Sequence, residues 1–340
     1  MRKLFVLALV LMVGGLAFAG GEAETAGADI DYPARDITTV VVWGAGGGTD
    51  VCNRVVMAEM SKALGVNVNV INKTGGAAGS VGMTYGYSAA HDGYTLTGLS
   101  ESNVTAGVKG AWSNRFNVWD TFIIGGSPDV VSVNPDSPYE TIEDLLEAAK
   151  ADKGTIRAGA SGSGSIHHLN LLALENGSGA KFNFIPYDGS APSQNAAMTG
   201  EISVIVTSVA EQAELIRGGK LRPLGMLTPD SFTLDGMEIP SAFDSYPDLS
   251  EYLPLAQSIG FAVPADVAQE KKEVLYAAFD EAMASDAVKK FGQEKFYVLS
   301  GKRGPEANEV FAQLESNFAW TLWELGAADV NPADLNIPKP

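Results

Sequence analysis

Residues 38–50 read Thr38-Thr39-Val40-Val41-Val42-Trp43-Gly44-Ala45-Gly46-Gly47-Gly48-Thr49-Asp50. The β-branched run 38–42 predicts a short strand buried on both faces, as in a parallel sheet covered by helices. It passes directly into four glycines within five positions. Thr49 or Asp50 then stands as the N-cap of a helix carrying Val51, Val55, Met57, Ala58 and Met60. Strand, glycine turn and helix start aim free backbone N–H groups and the positive end of a helix dipole at one point. A Cβ in the turn would obstruct both its dihedrals and the approach of a ligand to the backbone. The stretch therefore predicts a seat for an anionic small molecule.

Two other readings compete for the same turn. The glycines can serve geometry alone, in a tight strand-to-helix connection. They can also belong to a dinucleotide fingerprint, because residues 44–49 nearly fit G-x-G-x-x-G. Thr49, however, stands where the third glycine belongs. The next strand-like run, 66–71, ends in Asn72-Lys73, with no acid to hold a ribose. The rest of the chain favours a carboxylate seat.

Working outward, the same pattern recurs. Residues 66–71 predict a second strand, 72–80 another glycine-rich turn, and 81–90 a helix closed by His91-Asp92-Gly93. Residues 94–99 predict a third strand ending at Ser100-Glu101-Ser102-Asn103. Strands alternating with helices imply a mainly parallel sheet with helices on both faces, whose ligands gather at the carboxyl ends of the strands. The loops 46–50, 74–80 and 100–103 all lie at such ends, so one crevice can use all three.

The segments 122–126 and 130–133 predict strands that carry the chain out of a first domain. Thr141 caps a helix reaching Lys150, with Asp144 at its third position. Residues 156–160 predict a strand entering Ser161-Gly162-Ser163-Gly164-Ser165, then a helix over 166–174. This repeats the strand, glycine turn and helix logic with hydroxyls added. Strands over 182–187, 202–206 and 221–227 follow, with helices over 194–199 and 211–217. Residues 230–253 are polar and turn-rich. Residues 255–264 predict a returning strand, and helices over 268–284 and 305–325 cover the first sheet. Two crossings place a hinge near 127–133 and 255–262.

Composition sets limits. The chain has 340 residues, 46% hydrophobic, enough for one large or two medium cores. Residues 1–19 predict a cleaved export signal: Arg2 and Lys3, an apolar run from Leu4, then Ala17-Phe18-Ala19. An uncleaved anchor is the alternative, and no cysteine near the site offers a lipid attachment. Residues 20–35 predict a flexible mature N-terminus, and the mature protein is expected to be exported and soluble. The formal net charge of −18 disfavours nucleic acid and anionic lipid. The single cysteine, Cys52, permits no internal disulfide and is expected as a small packed hydrophobe.

Enzyme chemistry finds few candidates. The run 159–163 lacks the last glycine of G-x-S-x-G, so it is no nucleophile elbow. His167 and His168 are adjacent, and adjacent helical side chains diverge by about 100°. With His91 the only other histidine and one cysteine, neither a Ser-His-acid triad nor a metal cluster is spelled out. No catalysis, cofactor or metal is expected; an exported enzyme acting on a small carboxylate in the same cleft is the alternative.

A resemblance covers most of the chain. Tyr32-Pro33, Gly46-Gly47-Gly48-Thr49-Asp50 with Arg54, Asn72-Lys73-x-Gly75-x-Ala77-x-Gly79, and Asp92-Gly93-Tyr94-Thr95-Leu96 are followed by Gly162-Ser163 and His167-His168-Leu169. Ile185-Pro186-Tyr187-x-Gly189, Gly200-Glu201-Ile202 and Gly218-Gly219-Lys220-Leu221-Arg222-Pro223-Leu224 complete the series. In this order they resemble the Bug, or tripartite tricarboxylate transporter, solute receptors. The resemblance implies a two-domain α/β fold of the type II periplasmic-binding-protein kind, with a carboxylate held in the cleft largely by backbone N–H groups and water. It implies domain 1 over 36–130 and 257–340 and domain 2 over 131–256. The implied partners are a small carboxylate (di- or tricarboxylate, or acidic amino acid) and integral-membrane permease subunits, and the receptor is expected as a monomer. The positions expected at the ligand are Gly46, Gly47, Gly48, Thr49, Asp50, Ala77, Ser100, Ser163, Ser165, His168, Tyr187, Asp188, Gly189 and Thr207. Three positions depart from the pattern: no proline stands near Trp43, Asp188 replaces a commonly basic residue, and Pro240-Ser241 replaces Pro-Thr.

Overall fold

The first strand, β1 (Ile37–Val41), is buried along nearly its whole length, as its β-branched sequence demands. It pairs in parallel with both β2 (Val68–Asn72) and β3 (Thr95–Ser100). In this computed structural model residues 30–255 and 257–340 are described. The expected export signal at 1–19, and residues 20–29 of the expected mature N-terminus, lie outside them.

Helix α1 (Gly48–Leu64) follows β1, and α2 (Ser80–Tyr87) follows β2. A 3-10 turn, Glu101–Thr105, replaces the expected loop after β3, and Ser100 and Asn103 close it as a capping box. The chain then runs through β4 (Trp119–Gly126) to β5 (Asp129–Val133), which belongs to a second sheet. There α3 (Ile142–Ala151), capped by Thr141 and Asp144 as its sequence predicts, leads to β6 (Arg157–Ala160). Next come α4 (Ile166–Ser178), β7 (Asn183–Pro186), α5 (Ser190–Met198), β8 (Val204–Ser208), α6 (Val209–Arg217) and β9 (Arg222–Met226). The polar stretch after β9 contains a hairpin, β10 (Phe232–Leu234) and β11 (Met237–Ile239). The chain returns as β12 (Ile259–Pro264), then α7 (Gln269–Ala284), α8 (Asp286–Glu294), β13 (Val298–Leu299) and α9 (Pro305–Glu324).

One sheet has the order β13-β4-β12-β3-β1-β2 and the other β7-β6-β8-β5-β9. Both are mixed: most strands of each run in one direction, but the parallel pairs are β1–β2 and β1–β3 in one and β6–β7 and β6–β8 in the other, and the remaining pairs are antiparallel. The reversed strands include β5 and β12, where the chain passes from one sheet to the other. Each sheet with its helices forms a lobe, and both lobes lie within one compact unit, Tyr32–Pro340. In the first lobe α1 and α7 pack together, and α9 lies on β4. Phe122 and Phe261 stack at 4.3 Å between β4 and β12, with Phe279 of α7 edge-on. The second sheet is covered on two faces by separate apolar clusters, one around Val131, Leu145 and Leu174, the other around Val130, Ile205 and Ala213.

Two local expectations are corrected. The N-cap of α1 is Gly47, not Thr49 or Asp50. Asp50 lies inside the first turn and reaches back to accept the Gly46 N–H at 2.9 Å. Helix α5 starts at Ser190 rather than Gln194, because Pro192 tolerates the first turn of a helix, where no intrahelical N–H is needed.

Candidate functional site at the lobe interface

The strand ends of both sheets point at one another, and the lobes touch directly there. Gly44 N–H donates to the Asp188 carbonyl at 2.9 Å, and Ala78 N–H to the Ser163 carbonyl at 3.0 Å. Thr105 Oγ1 donates to the Gly164 carbonyl at 2.7 Å, and Ser102 Oγ accepts the Ile166 N–H at 2.9 Å. At the centre, Gly48 N–H donates to Glu211 Oε1 at 2.7 Å.

A cavity of ≈ 20 Å³ remains between these contacts, room for roughly one water. Trp43, Gly47, Gly48, Thr49, Ser100, Glu101 and Ser102 line it from the first lobe, Ser161, His167, Ser190 and Glu211 from the second, and Gln257 from the returning chain. Its walls are hydroxyls, backbone donors, two carboxylates, one imidazole, the Trp43 indole and the Gln257 amide, and neither lysine nor arginine lines it. A wider cavity of ≈ 650 Å³ lies beside the crossings, bordered by Gly125, Asp129, Gln257 and Val298. It mixes apolar residues such as Ile123, Leu227 and Leu255 with polar side chains that include Asp129 and Lys302.

His167 and Glu211 of the small cavity form one buried chain with Asp129 behind them. His167 Nδ1 meets Asp129 Oδ2 at 2.7 Å, and its Nε2 lies 3.4 Å from Glu211 Oε2. Burial alone would lower the His167 pKa, but the flanking carboxylates of Asp129 and Glu211 overcome it and hold the imidazole protonated, well above its ordinary range. Burial likewise opposes ionisation of Glu211. His167 and the Gly48 N–H outweigh it and draw the carboxyl down to about 2. Glu101 behaves oppositely: burial dominates and raises its pKa, although Ser258 N–H and Ser102 Oγ both donate to it. Asn170 Nδ2 also donates to Asp129, at 2.6 Å. Two carboxylates around one imidazolium give a site whose residual charge is negative.

Of the positions expected at the ligand, Gly47, Gly48, Thr49 and Ser100 line this cavity. Gly46 is exposed, and its N–H goes to Asp50. Asp50 is buried and also pairs with Arg54 and accepts from Asn72 at 2.8 Å. Ser163 takes part in a lobe contact, accepting the N–H of Ala78 rather than of Ala77, and Asp188 in another through its own carbonyl. The Asp188 side chain is exposed and Gly189 caps α5. Ser165 caps α4. Tyr187 donates to Glu201 at 2.8 Å, and Thr207 accepts from Gln194 at 3.2 Å. His168 stacks on Phe184 at 4.0 Å and accepts the Gly164 N–H, while burial, then the Lys109 charge, lowers its pKa to about 4.

Sequence reasoning did not single out Trp43, Glu101, Ser102, Ser161, His167, Ser190, Glu211 and Gln257 as ligand contacts. Two local signals were available. Ser208-Val209-Ala210-Glu211 spells a capping box, which fixes Glu211 at the mouth of β8. Glu101 and Ser102 sit in the strand-end loop already assigned to the crevice. Cys52 is buried, and burial raises its thiol pKa. Among the described residues no cluster of side chains has the makings of a metal site, and no helix is long and apolar enough to cross a membrane.

Two α/β lobes, two chain crossings and a polar cavity at the facing strand ends define a solute-binding protein of the periplasmic type. The chain belongs to the tripartite tricarboxylate transporter family of receptors, whose pattern matches residues 52–300. It is 31% identical over 290 residues to Protein BugT of Bordetella pertussis, covering 82% of this chain and 86% of that one. The periplasmic binding protein BugD superposes with a TM-score of 0.80 at 22% identity, over 87% of this chain and 99% of its own. MatC of Rhodopseudomonas palustris, solved with bound malate, gives 0.78 at 19% identity over 86% of this chain and 100% of its own. Both superpositions concern the fold. Proteins of this family are receptors rather than enzymes.

Proposed function

We propose that this receptor captures a small carboxylate between its lobes in the periplasm, acting as a monomer, and delivers it to the membrane permease of a tripartite tricarboxylate transporter. The observation that carries this is the Gly48 N–H at the start of α1, aimed into the cleft and already engaged by a carboxylate, that of Glu211. An N–H with this geometry at a helix start suits a ligand carboxylate equally. The cavity holds about one water, so entry of a ligand requires the lobes to part. The segments around β4–β5 and before β12 are the two crossings about which they turn. On this reading residues 36–130 with 257–340, and 131–256, move as two domains, and the export signal at 1–19 directs the protein to its compartment. Family membership and the malate bound to MatC support a carboxylate as the cargo.

Native mass spectrometry of the purified protein in a mixture of mono-, di- and tricarboxylates tests the binding step. One adduct of a single acid, lost in Gly48→Val, is the expected result. Its persistence in that variant moves the site elsewhere. For delivery, uptake of that acid by vesicles bearing the permease should require the receptor, and uptake without it contradicts the partnership.

A further inference from the structure

Gly48 N–H and Glu211 Oε1 face each other across the cleft at 2.7 Å. One is a donor, and the other, as an ionised carboxylate, accepts only. Glu211 is anchored from its own lobe: Oε2 accepts the Ser208 N–H at 3.1 Å and the Ser208 hydroxyl at 2.8 Å. When the lobes part, that anchor stays and the Oε1 contact breaks. The open cleft then presents a backbone donor opposite a carboxylate acceptor. A ligand seated between them must offer an acceptor to one and a donor to the other.

A bare dicarboxylate offers only acceptors. It would set its second carboxylate against Glu211, with Glu101 in the facing wall and no lysine or arginine lining the cavity to offset the charge. His167 cannot take the extra charge, since Asp129 and Glu211 already hold both its nitrogens. A carboxylate carrying an ammonium or hydroxyl on a neighbouring carbon meets both demands. We propose, on the footing of the carboxylate-receptor reading above, that Glu211 is a specificity-determining residue that accepts a hydrogen bond from such a donor while Gly48 N–H holds the adjoining carboxylate.

Calorimetric titration of the purified protein, refolded to strip carried-over ligand, tests this with two matched series. One is succinate, L-malate and L-aspartate; the other is glutarate, 2-hydroxyglutarate and L-glutamate. Wild type binds a hydroxyl- or ammonium-bearing member roughly 10- to 100-fold more tightly than its bare parent, the range of a hydrogen bond to a charged group. Glu211→Ala removes most of that ratio. Glu211→Gln keeps the side-chain length and a carbonyl acceptor, which guards against loss of the α6 cap, and it weakens an ammonium-bearing ligand more than a hydroxyl-bearing one. The amino and hydroxy arms identify which donor is read. Equal affinity of wild type for bare and substituted acids, or an undiminished ratio in Glu211→Ala, overturns the role of Glu211 and leaves the carboxylate reading standing. Silence toward all six acids contradicts that reading for short carboxylates itself.

Discussion

Glu211 in the first turn of α6 accepts the N–H of Gly48 in the first turn of α1 at 2.7 Å, the central one of the hydrogen bonds that tie one lobe to the other. The protein thereby supplies to α1 the negative charge that a helix start favours. Behind it His167 balances Glu211 and Asp129, so closure of the lobes and the charge state of a buried triad are one structural fact.

Acid should weaken this tie through Glu211. A carboxyl depressed to about 2 from an ordinary 4.5 contributes stability that is complete above pH 4.5 and is lost as pH falls toward 2. The contribution has an upper bound of roughly 3 kcal/mol. Urea unfolding of wild type and Glu211→Gln from pH 6 to pH 2.5 should show a stability difference that shrinks across that window. Glu101 titrates in both proteins and drops out of the comparison. A difference that stays constant with pH contradicts the assignment.

His167→Gln leaves Glu211 and Asp129 buried without their counter-charge. Breaking a buried pair in this way costs about 3 kcal/mol, and calorimetry should record a melting temperature lower by about 6 °C or more. A change of only a degree or so would mean that Asn170, which also donates to Asp129, carries the compensation.

The two glycines at the head of α1 should differ. A Cβ on Gly48 would lie 3.0 Å from both Glu211 Oε1 and Ile259 Cδ1 and 3.1 Å from the Tyr297 hydroxyl, whereas on Gly47 the nearest atom is 3.4 Å away. Gly48→Ala is expected to destabilise by about 1–3 kcal/mol through overpacking and to weaken ligand binding. Gly47→Ala should stay below about 1 kcal/mol. Equal effects in denaturant unfolding would show that the crowding relaxes freely.

Gly44 reports on closure itself. A Cβ there would lie 2.8 Å from the Asp188 carbonyl oxygen, in the opposite lobe. Gly44→Ala should push the lobes apart and raise the radius of gyration in small-angle scattering, with secondary structure unchanged by circular dichroism. An unchanged radius would mean that the contact shifts without opening the cleft.

Much of the fold was readable because its signals are local. The run Val40-Val41-Val42 could only be buried on both faces, and Thr141 with Asp144 spelled the start of α3. Helix α8 escaped because Ser285 ends α7 and caps α8 at once, leaving no turn residues between them. At the site, the glycine turn was local and was found. The Gly48–Glu211 contact joins residues 163 positions apart, which no local pattern records. The neighbouring histidines show the same limit. A divergence of about 100° says that one turns away from the other's partner, but Asp129 in another strand decides that His167 enters the cavity while His168 stacks on Phe184.

The most direct measurement is thermal unfolding of wild type and Gly48→Val against a panel of carboxylates, amino acids included. A ligand at about 100 times its Kd adds roughly 2.7 kcal/mol to the stability of the form that binds it, a shift of several degrees. A clear shift by at least one acid in wild type, absent from a folded Gly48→Val, is the expected result. An equal shift in both proteins, or none from any acid in wild type, would contradict a carboxylate site at the start of α1.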